Sequence, residues 1–225
     1  ASGALLAVQY TGVLLDWRLV AVTAANILAV AYAFMINDIE DAPDDALEGS
    51  VVRRTTGTSA TYAAAGVDVE AGEHAVALMK ASIARAQRPE VVGDFGGFAG
   101  LFDVSVIKRF DTPLLATSTD GVGTKVVVAQ KMDKHDTIGI DLVAMVVDDL
   151  VVCGAEPLFL QDYIAVGRTV PERVAELVSG IADGCVMAGC ALLGGETAEH
   201  PGLMAPDHYD ISATGVGVVE ADDVL

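Results

Sequence analysis

Basic side chains are scarce in this chain. Its 225 residues carry 13 Lys and Arg against 32 Asp and Glu, a formal charge of −19. That balance argues against nucleic-acid binding, which needs a basic footprint to displace counterions from phosphate. It favours solubility at some cost in self-repulsion, the compromise used by halophiles, and fits either a salt-adapted cytoplasm or an ordinary acidic enzyme. Cysteine is scarce too. Cys153, Cys185 and Cys190 form no Cys-x-x-Cys pair and no zinc spacing. Each sits in an apolar segment and reads as a buried structural thiol. An odd count without a disulfide framework points to a reducing compartment, and so to the cytoplasm. The four histidines show no metal-ligand spacing. His74 and His135 read as helix-surface or capping residues, and His200 and His208 as flanks of a solvated acidic loop. No internal repeat or low-complexity tract is present.

The first fifty residues differ in kind from the rest. Leu19 to Ile36 carries no charge, and only Thr23 and Asn26 in it are distinctly polar, a span at the lower end of membrane-crossing length. Gly3 to Leu15 is a second apolar run, separated from the first by Asp16-Trp17-Arg18, residues suited to a membrane interface. There is no basic start of the kind a signal peptide carries. An apolar helical hairpin, buried or in contact with a membrane through residues 1–36, satisfies this pattern. Asn37-Asp38-Ile39-Glu40-Asp41-Ala42-Pro43-Asp44-Asp45 follows, dense enough in carboxylates to hold Mg²⁺ and a diphosphate, or simply an acidic linker. Residues 5–47 resemble a fragment of a UbiA-type membrane prenyltransferase, which implies prenyl transfer as an alternative function. No further membrane helix or second Asp-rich motif follows. Residues 48–60, with Gly49, Ser50, Gly57 and Ser59, read as a linker. The organisation expected is therefore an apolar segment over 1–47, a linker over 48–60 and a main domain over 61–225.

The densest chemistry lies in Ser118-Thr119-Asp120-Gly121-Val122-Gly123-Thr124-Lys125, which follows an apolar run at Pro113 to Ala116. Glycines let backbone approach a ligand and adopt turns closed to other residues. Asp120 offers hard oxygen to Mg²⁺, and Lys125 a compact charge to phosphate. Asp-Gly is also a common turn pair, so the stretch alone leaves a plain turn open. The remaining motifs are Ala65-Gly66-Val67-Asp68, Gly96-Gly97-Phe98-Ala99-Gly100, Ile138-Gly139-Ile140-Asp141-Leu142-Val143-Ala144-Met145, Asp148-Asp149-Leu150-Val151-Val152, and Gly194-Gly195-Glu196-Thr197-Ala198-Glu199. In this order and spacing, residues 61–225 resemble the N-terminal domain of aminoimidazole ribonucleotide synthetase, the phosphoribosylformylglycinamidine cyclo-ligase family.

The residues themselves suggest an α/β sandwich with helices on one face of the sheet. Helices are expected over Gly72 to Arg88, ended by Pro89, over Asp136 to Cys153, and from Pro171 to about Ala188. Strands are expected at Pro113 to Thr119, Lys125 to Ala129, Leu158 to Val166, Ala191 to Leu193 and Tyr209 to Val219. Gly194-Gly195-Glu196-Thr197 reads as a tight turn. On the helix from Asp136, Asp141, Met145, Asp148 and Asp149 share one broad face, amid apolar neighbours that leave the carboxylates wanting a partner.

The resemblance implies more. Its fold is a mixed sheet with helices on one face, and two copies pair their sheets into a closed β-barrel. Its reaction uses ATP to phosphorylate the amide oxygen of formylglycinamidine ribonucleotide, after which a substrate nitrogen closes the imidazole ring and ADP and phosphate leave. Asp120 and Asp149 are implied as Mg²⁺ ligands, with Asp141 and Glu196 completing the shell. Lys125 is implied to neutralise phosphate charge. Asp68, Gly96, Gly97, Gly100, Gly121, Gly123, Thr124 and Gly195 are implied to line the ATP, Asp68 across a dimer interface. Where the family has Asn-Asp, this chain has Asp148-Asp149. A selenophosphate synthetase, a thiamine-phosphate kinase and a non-catalytic dimerisation module remain alternatives. The family's second domain, which completes the substrate groove, is not found before Leu225, so ring closure by these residues alone is not expected.

Overall fold

The computed structural model describes residues 67–93 and 99–225, all within the unit Ala65–Leu225. The expectations for the apolar segment, the linker, Gly96 and Gly97 lie outside the described residues. Among the described residues no helix is long and apolar enough to cross a membrane.

Helix α1 (Val69–Arg85) starts at Asp68, whose Oδ1 accepts the Ala71 amide at 3.0 Å. This N-cap satisfies one of the free amides of the first turn and sets the start three residues before Gly72. Ala75, Met79 and Ile83 recur every fourth residue and are buried together. Strands β1 (Val91–Val92) and β2 (Leu101–Phe102) pair antiparallel as a small ladder. The main sheet has four strands: β3 (Pro113–Gly121), β4 (Glu156–Val166), β5 (Ala191–Glu199) and β6 (Tyr209–Glu220). Their order is β3-β6-β4-β5, with β6 antiparallel to both neighbours and β4 parallel to β5. Parallel β4 and β5 need a crossover, and helix α4 (Pro171–Ala188) supplies it, opening on Pro171 and closing at left-handed Gly189. Helix α3 (Ile138–Val151) lies over β3, β6 and β4, α4 packs on α3, and α1 packs on α4. The expected mixed sheet with helices on one face is what forms.

Two local expectations fail. Lys125 to Ala129 is not a strand but the start of helix α2 (Lys125–Met132). Three consecutive valines favour a strand only weakly. Here Gly123, at φ +58°, turns the chain off the sheet after β3, and burial of Ala129 on one face holds a helix instead. The second failure is the turn at Gly194-Gly195-Glu196-Thr197. These residues continue β5, opposite Gln161, Asp162, Tyr163 and Ile164 of β4. A bulge after Leu160 absorbs Leu193 and resets the register.

Alternation on β4 puts Leu158, Leu160, Asp162, Ile164 and Val166 on the helix-covered face. On β6 the matching residues are Tyr209, Ile211, Ala213 and Gly215. The opposite face, with Leu115, Tyr163 and Val216, has no helix against it among the described residues. Of the thiols, Cys185 and Cys190 are buried as expected, whereas Cys153 is exposed. His135 is not on a helix surface. It is buried, with Nδ1 2.9 Å from the Tyr209 hydroxyl and Nε2 3.1 Å from Asp133 Oδ1. The left-handed Asp133 turns the chain so that His135 passes beneath β6.

Candidate functional site

The covered face of β3 meets the C-terminal end of α3. Ser118 and Asp120 lie on that face, and the Ser118 hydroxyl donates to Asp149 Oδ2 at 2.6 Å. Asp120 Oδ1 accepts the Gly121 amide at 2.7 Å. The hydroxyl thus sets Asp149 beside Ser118, with Asp120 two residues further along the same face of β3, about 7 Å on at the usual strand rise. Asp148 and Asp149 sit in the last turn of α3, with no basic residue there. Carboxylates at a helix C-terminus oppose the helix dipole, at a cost of about 0.3–1 kcal/mol each. A cation at this corner would offset that cost.

The other implied ligands are elsewhere. Asp141 is in the first turn of α3, about 12 Å along the axis from Asp149 at 1.5 Å per residue. Its Oδ1 is 3.4 Å from Lys125 Nζ, so the implied phosphate lysine is engaged by a carboxylate. Glu196 lies on β5, three strands from Asp120, or about 14 Å at the usual strand spacing. It also faces the opposite side of the sheet, beside Tyr163. Among the described residues no group of three or more His, Cys, Asp or Glu stands together as a metal cage. Asp120 and Asp149 fit the other common mode for Mg²⁺, one or two carboxylates with the rest of the shell from water and phosphate oxygens.

Asp68 holds local structure together. Its carboxylate caps α1, and its amide donates to Glu199 Oε2 at 2.9 Å. Glu199 also accepts the Thr169 amide at 2.6 Å. Gly100 packs against Leu193, where a Cβ would lie 2.5 Å from Leu193 Cγ. Gly121 abuts the Ile211 carbonyl, while Gly123 and Thr124 form the exposed turn into α2. Gly195 lies against the Asp162 carboxyl, and a Cβ there would collide with it. His200 Nε2 is 3.0 Å from the Tyr163 hydroxyl.

One candidate escaped the motif reading. Asp162 is the lone acid in the inward series Leu158, Leu160, Asp162, Ile164, Val166, and that alternation was its only signal. It borders a cavity of about 590 Å³ between α1 and strands β4 and β5. Its own backbone amide donates to it, and no other described residue does. Burial raises its pKa from 3.8 to about 7.

The raised value makes a pH prediction. In the folded chain this carboxyl holds its proton more tightly than in the unfolded one. Its contribution to stability is therefore full below about pH 4 and lost as pH rises through about 7. Asp162→Asn removes the titration. Relative to the unsubstituted chain, the variant should gain stability between pH 4 and pH 8, by at most on the order of 4 kcal/mol. Urea unfolding across that range measures it, and parallel stability curves for the two proteins would refute the assignment.

With the geometry in view, comparison with known proteins places the chain. The description "AIR synthase related protein, N-terminal domain" matches residues 102–219. Phosphoribosylformylglycinamidine cyclo-ligase of Geobacillus kaustophilus is 57% identical over 164 residues, 73% of this chain and 47% of the relative. The enzyme of the same name from Acetivibrio thermocellus is 57% identical over 165 residues, 73% of this chain and 48% of the relative. The chain spans about half the length of these curated relatives. Among solved structures, E. coli HypE, a hydrogenase maturation protein, matches with a TM-score of 0.51 at 21% identity, covering 66% of this chain and 43% of that one, a likeness of fold. Carrying the Asp-Gly-x-Gly-Thr-Lys turn at the end of β3 on the matched fold, the chain belongs to the AIR synthase related protein family, through its N-terminal domain.

Proposed function

We propose that this chain supplies the ATP-binding part of an ATP-dependent cyclo-ligase that converts formylglycinamidine ribonucleotide to aminoimidazole ribonucleotide in purine biosynthesis. The observation that carries this reading is the identity of 57% with named cyclo-ligases over the residues that form the sheet and its covering helices. The placement of Asp149 against Ser118, two residues before Asp120 on one face of β3, supports it, because phosphoryl transfer asks the protein mainly for positioning and charge neutralisation.

In this reading the two carboxylates hold Mg²⁺ against the phosphates. Ser118 fixes the rotamer of Asp149 through its 2.6 Å hydrogen bond. Bound there, the ion would neutralise charge on the transferring phosphoryl group. The turn at Gly121 to Thr124 brings backbone amides towards the phosphates. Lys125, now 3.4 Å from Asp141, exchanges that partner for phosphate. Asp141 then acts as a holder of the lysine rather than as a metal ligand, and Glu196, on the far edge strand, reaches a metal only where another copy of the chain approaches. Asp68, Gly96, Gly97, Gly100 and Gly195 are proposed to line the nucleotide. Free thiols without a disulfide among the described residues suit a cytoplasmic enzyme.

Assembly follows the same reasoning. Strands β3 and β5 each present an edge unpaired within the described residues. Leu115 is 67% exposed and Tyr163 40% exposed on the uncovered face. Two copies joined edge to edge would satisfy both edges and bury that face, in a homodimer with a closed barrel. Sedimentation velocity at micromolar concentration should give a dimer, and a monomer would contradict this.

Replacing Asp120 or Asp149 by Asn keeps shape while removing one anionic ligand. Each substitution should weaken magnesium-dependent ATP binding roughly tenfold or more, or about 1.4 kcal/mol, with thermal stability retained. Calorimetric titration of ATP with and without Mg²⁺ tests this. Unchanged magnesium dependence in both variants would overturn the site.

A further inference from the structure

We propose that the cavity between α1 and strands β4 and β5 seats a cationic amidine group, gripped by the carboxyl of Asp162. Taking that group to be the amidine of the substrate rests on the cyclo-ligase reading above; the cavity's chemistry does not.

Three observations carry the proposal. The first is the lining. A volume of about 590 Å³ suits a small molecule. The side chains of Asp68, Glu73, Asp162 and Glu199 border it, Glu196 contributes only the backbone of β5 because its carboxylate faces the other side of the sheet, and no Lys, Arg or His lines it among the described residues. Phosphate and carboxylate groups are disfavoured in such a field, and a cation rich in N–H donors is favoured. The second is the state of these acids. Asp68 is committed to capping α1, and Glu199 to the amides of Asp68 and Thr169. Asp162 stands apart. It lies half-buried on the helix-covered face between Leu160 and Ile164, opposite Ala213, with its own amide as donor and none from another described residue. A carboxyl in an apolar layer costs free energy unless a partner arrives. An amidinium presents two parallel N–H donors that match both its oxygens and neutralise its charge. The third is the room made for it. Gly195, directly across the β4–β5 ladder, has no side chain, and a Cβ there would collide with Asp162 Oδ1. Met79, Ile83, Val178 and Leu192 give the cavity apolar walls for the rest of the ligand.

The raised pKa of Asp162 adds a signature. A cation binds the ionised form, so affinity should rise with pH through about 7. The titratable groups around Asp162 are Glu73 from α1 with Asp68 at its cap, Glu199 from β5, and Cys185 from α4, while the Glu196 carboxylate lies on the other side of the sheet. Strand β6 offers none, placing Ala213 there.

The test uses the full chain with benzamidine as probe and benzamide as its neutral isostere. Methyl resonances of Met79, Val178 and Leu192 are followed by NMR, with the same titrations on Asp162→Asn and on Gly195→Ala. The expected result is that benzamidine shifts these methyls and binds roughly tenfold or more tightly than benzamide. Its affinity should rise from pH 6 to pH 8, and Asp162→Asn should lose both the preference and the pH dependence. Gly195→Ala should weaken binding by displacing the carboxyl. Thermal melting of each variant separates lost binding from lost fold, and the unsubstituted chain alone decides the matter should both variants unfold. Absence of methyl shifts with benzamidine, equal response to benzamide, or undiminished binding by folded Asp162→Asn would overturn the proposal. Shifts of the same methyls by adenosine but not by benzamidine would overturn it in favour of a nucleobase pocket. Benzamidine binding without magnesium-dependent ATP binding would leave the cavity assignment standing and remove the cyclo-ligase reading, and the reverse outcome would do the opposite.

Discussion

The architecture depends on how closely α3 and α4 approach. A Cβ on Gly180 would lie 2.6 Å from the Asp136 carbonyl oxygen, and one on Gly184 would lie 2.8 Å from Val143 Cβ. Only glycine permits that crossing, and dense packing there leaves no slack for a side chain. The crossing seats both helices on the sheet. Leu142, Val146, Leu177 and Ile181 are then fully enclosed over β6 and β4. It also fixes where the end of α3 falls, beside β3, so that Asp149 meets Ser118. Helix α1, packed on α4 rather than centred on the sheet, leaves a cavity over β5 among the described residues. One packing decision therefore sets both the carboxylate corner and the cavity.

The two places divide the electrostatics between them. Asp149 is exposed at the end of α3, opposes that helix's dipole and is steadied by the Ser118 hydroxyl, whereas Asp120 is half-buried on β3 and accepts the Gly121 amide. Carboxylates with access to solvent suit a hard cation that itself keeps water and phosphate oxygens. In the cavity a single carboxyl is held in an apolar layer, and its proton affinity rises. Asp120 and Asp162 share one row across the sheet, with Ala213 between them, so they are about 10 Å apart at two strand spacings. Two acids on one face, in different surroundings, are thus available for different chemistry.

Much of this was legible in the residues. Period-two alternation at Leu158 to Val166 and at Tyr209 to Val219 marks two strands that the structure contains. Pro171 and the apolar spacing after it mark α4. What misled was local. Val126-Val127-Val128 looks like a strand because branching at Cβ is a local property, whereas departure from the sheet at Gly123 is a tertiary one. Gly194-Gly195 looks like a turn because glycine usually serves turns. Here the missing side chain makes space for a carboxyl on the neighbouring strand, which no pattern within β5 reveals. His135 was misplaced for a related reason, since its partner Tyr209 is far away in sequence. Of the candidate site, motif order singled out Asp120 and Asp149, which the structure places near one another only through the Ser118 hydroxyl. The separation of Asp141 and Glu196 from it needed the strand order and the length of α3.

On the proposed reading the nucleotide binds where the C-terminal half of β3 faces α3. Amide chemical-shift mapping on the isotopically labelled chain, titrated with ATP and magnesium, tests this most directly. The largest shifts are expected at Thr119 to Lys125 and at Asp148 to Val151, with the His135 and Tyr209 amides left nearly unmoved. Shifts centred on α2 and the His135 loop, or no shifts at Asp120 and Asp149 with saturating nucleotide, would contradict it.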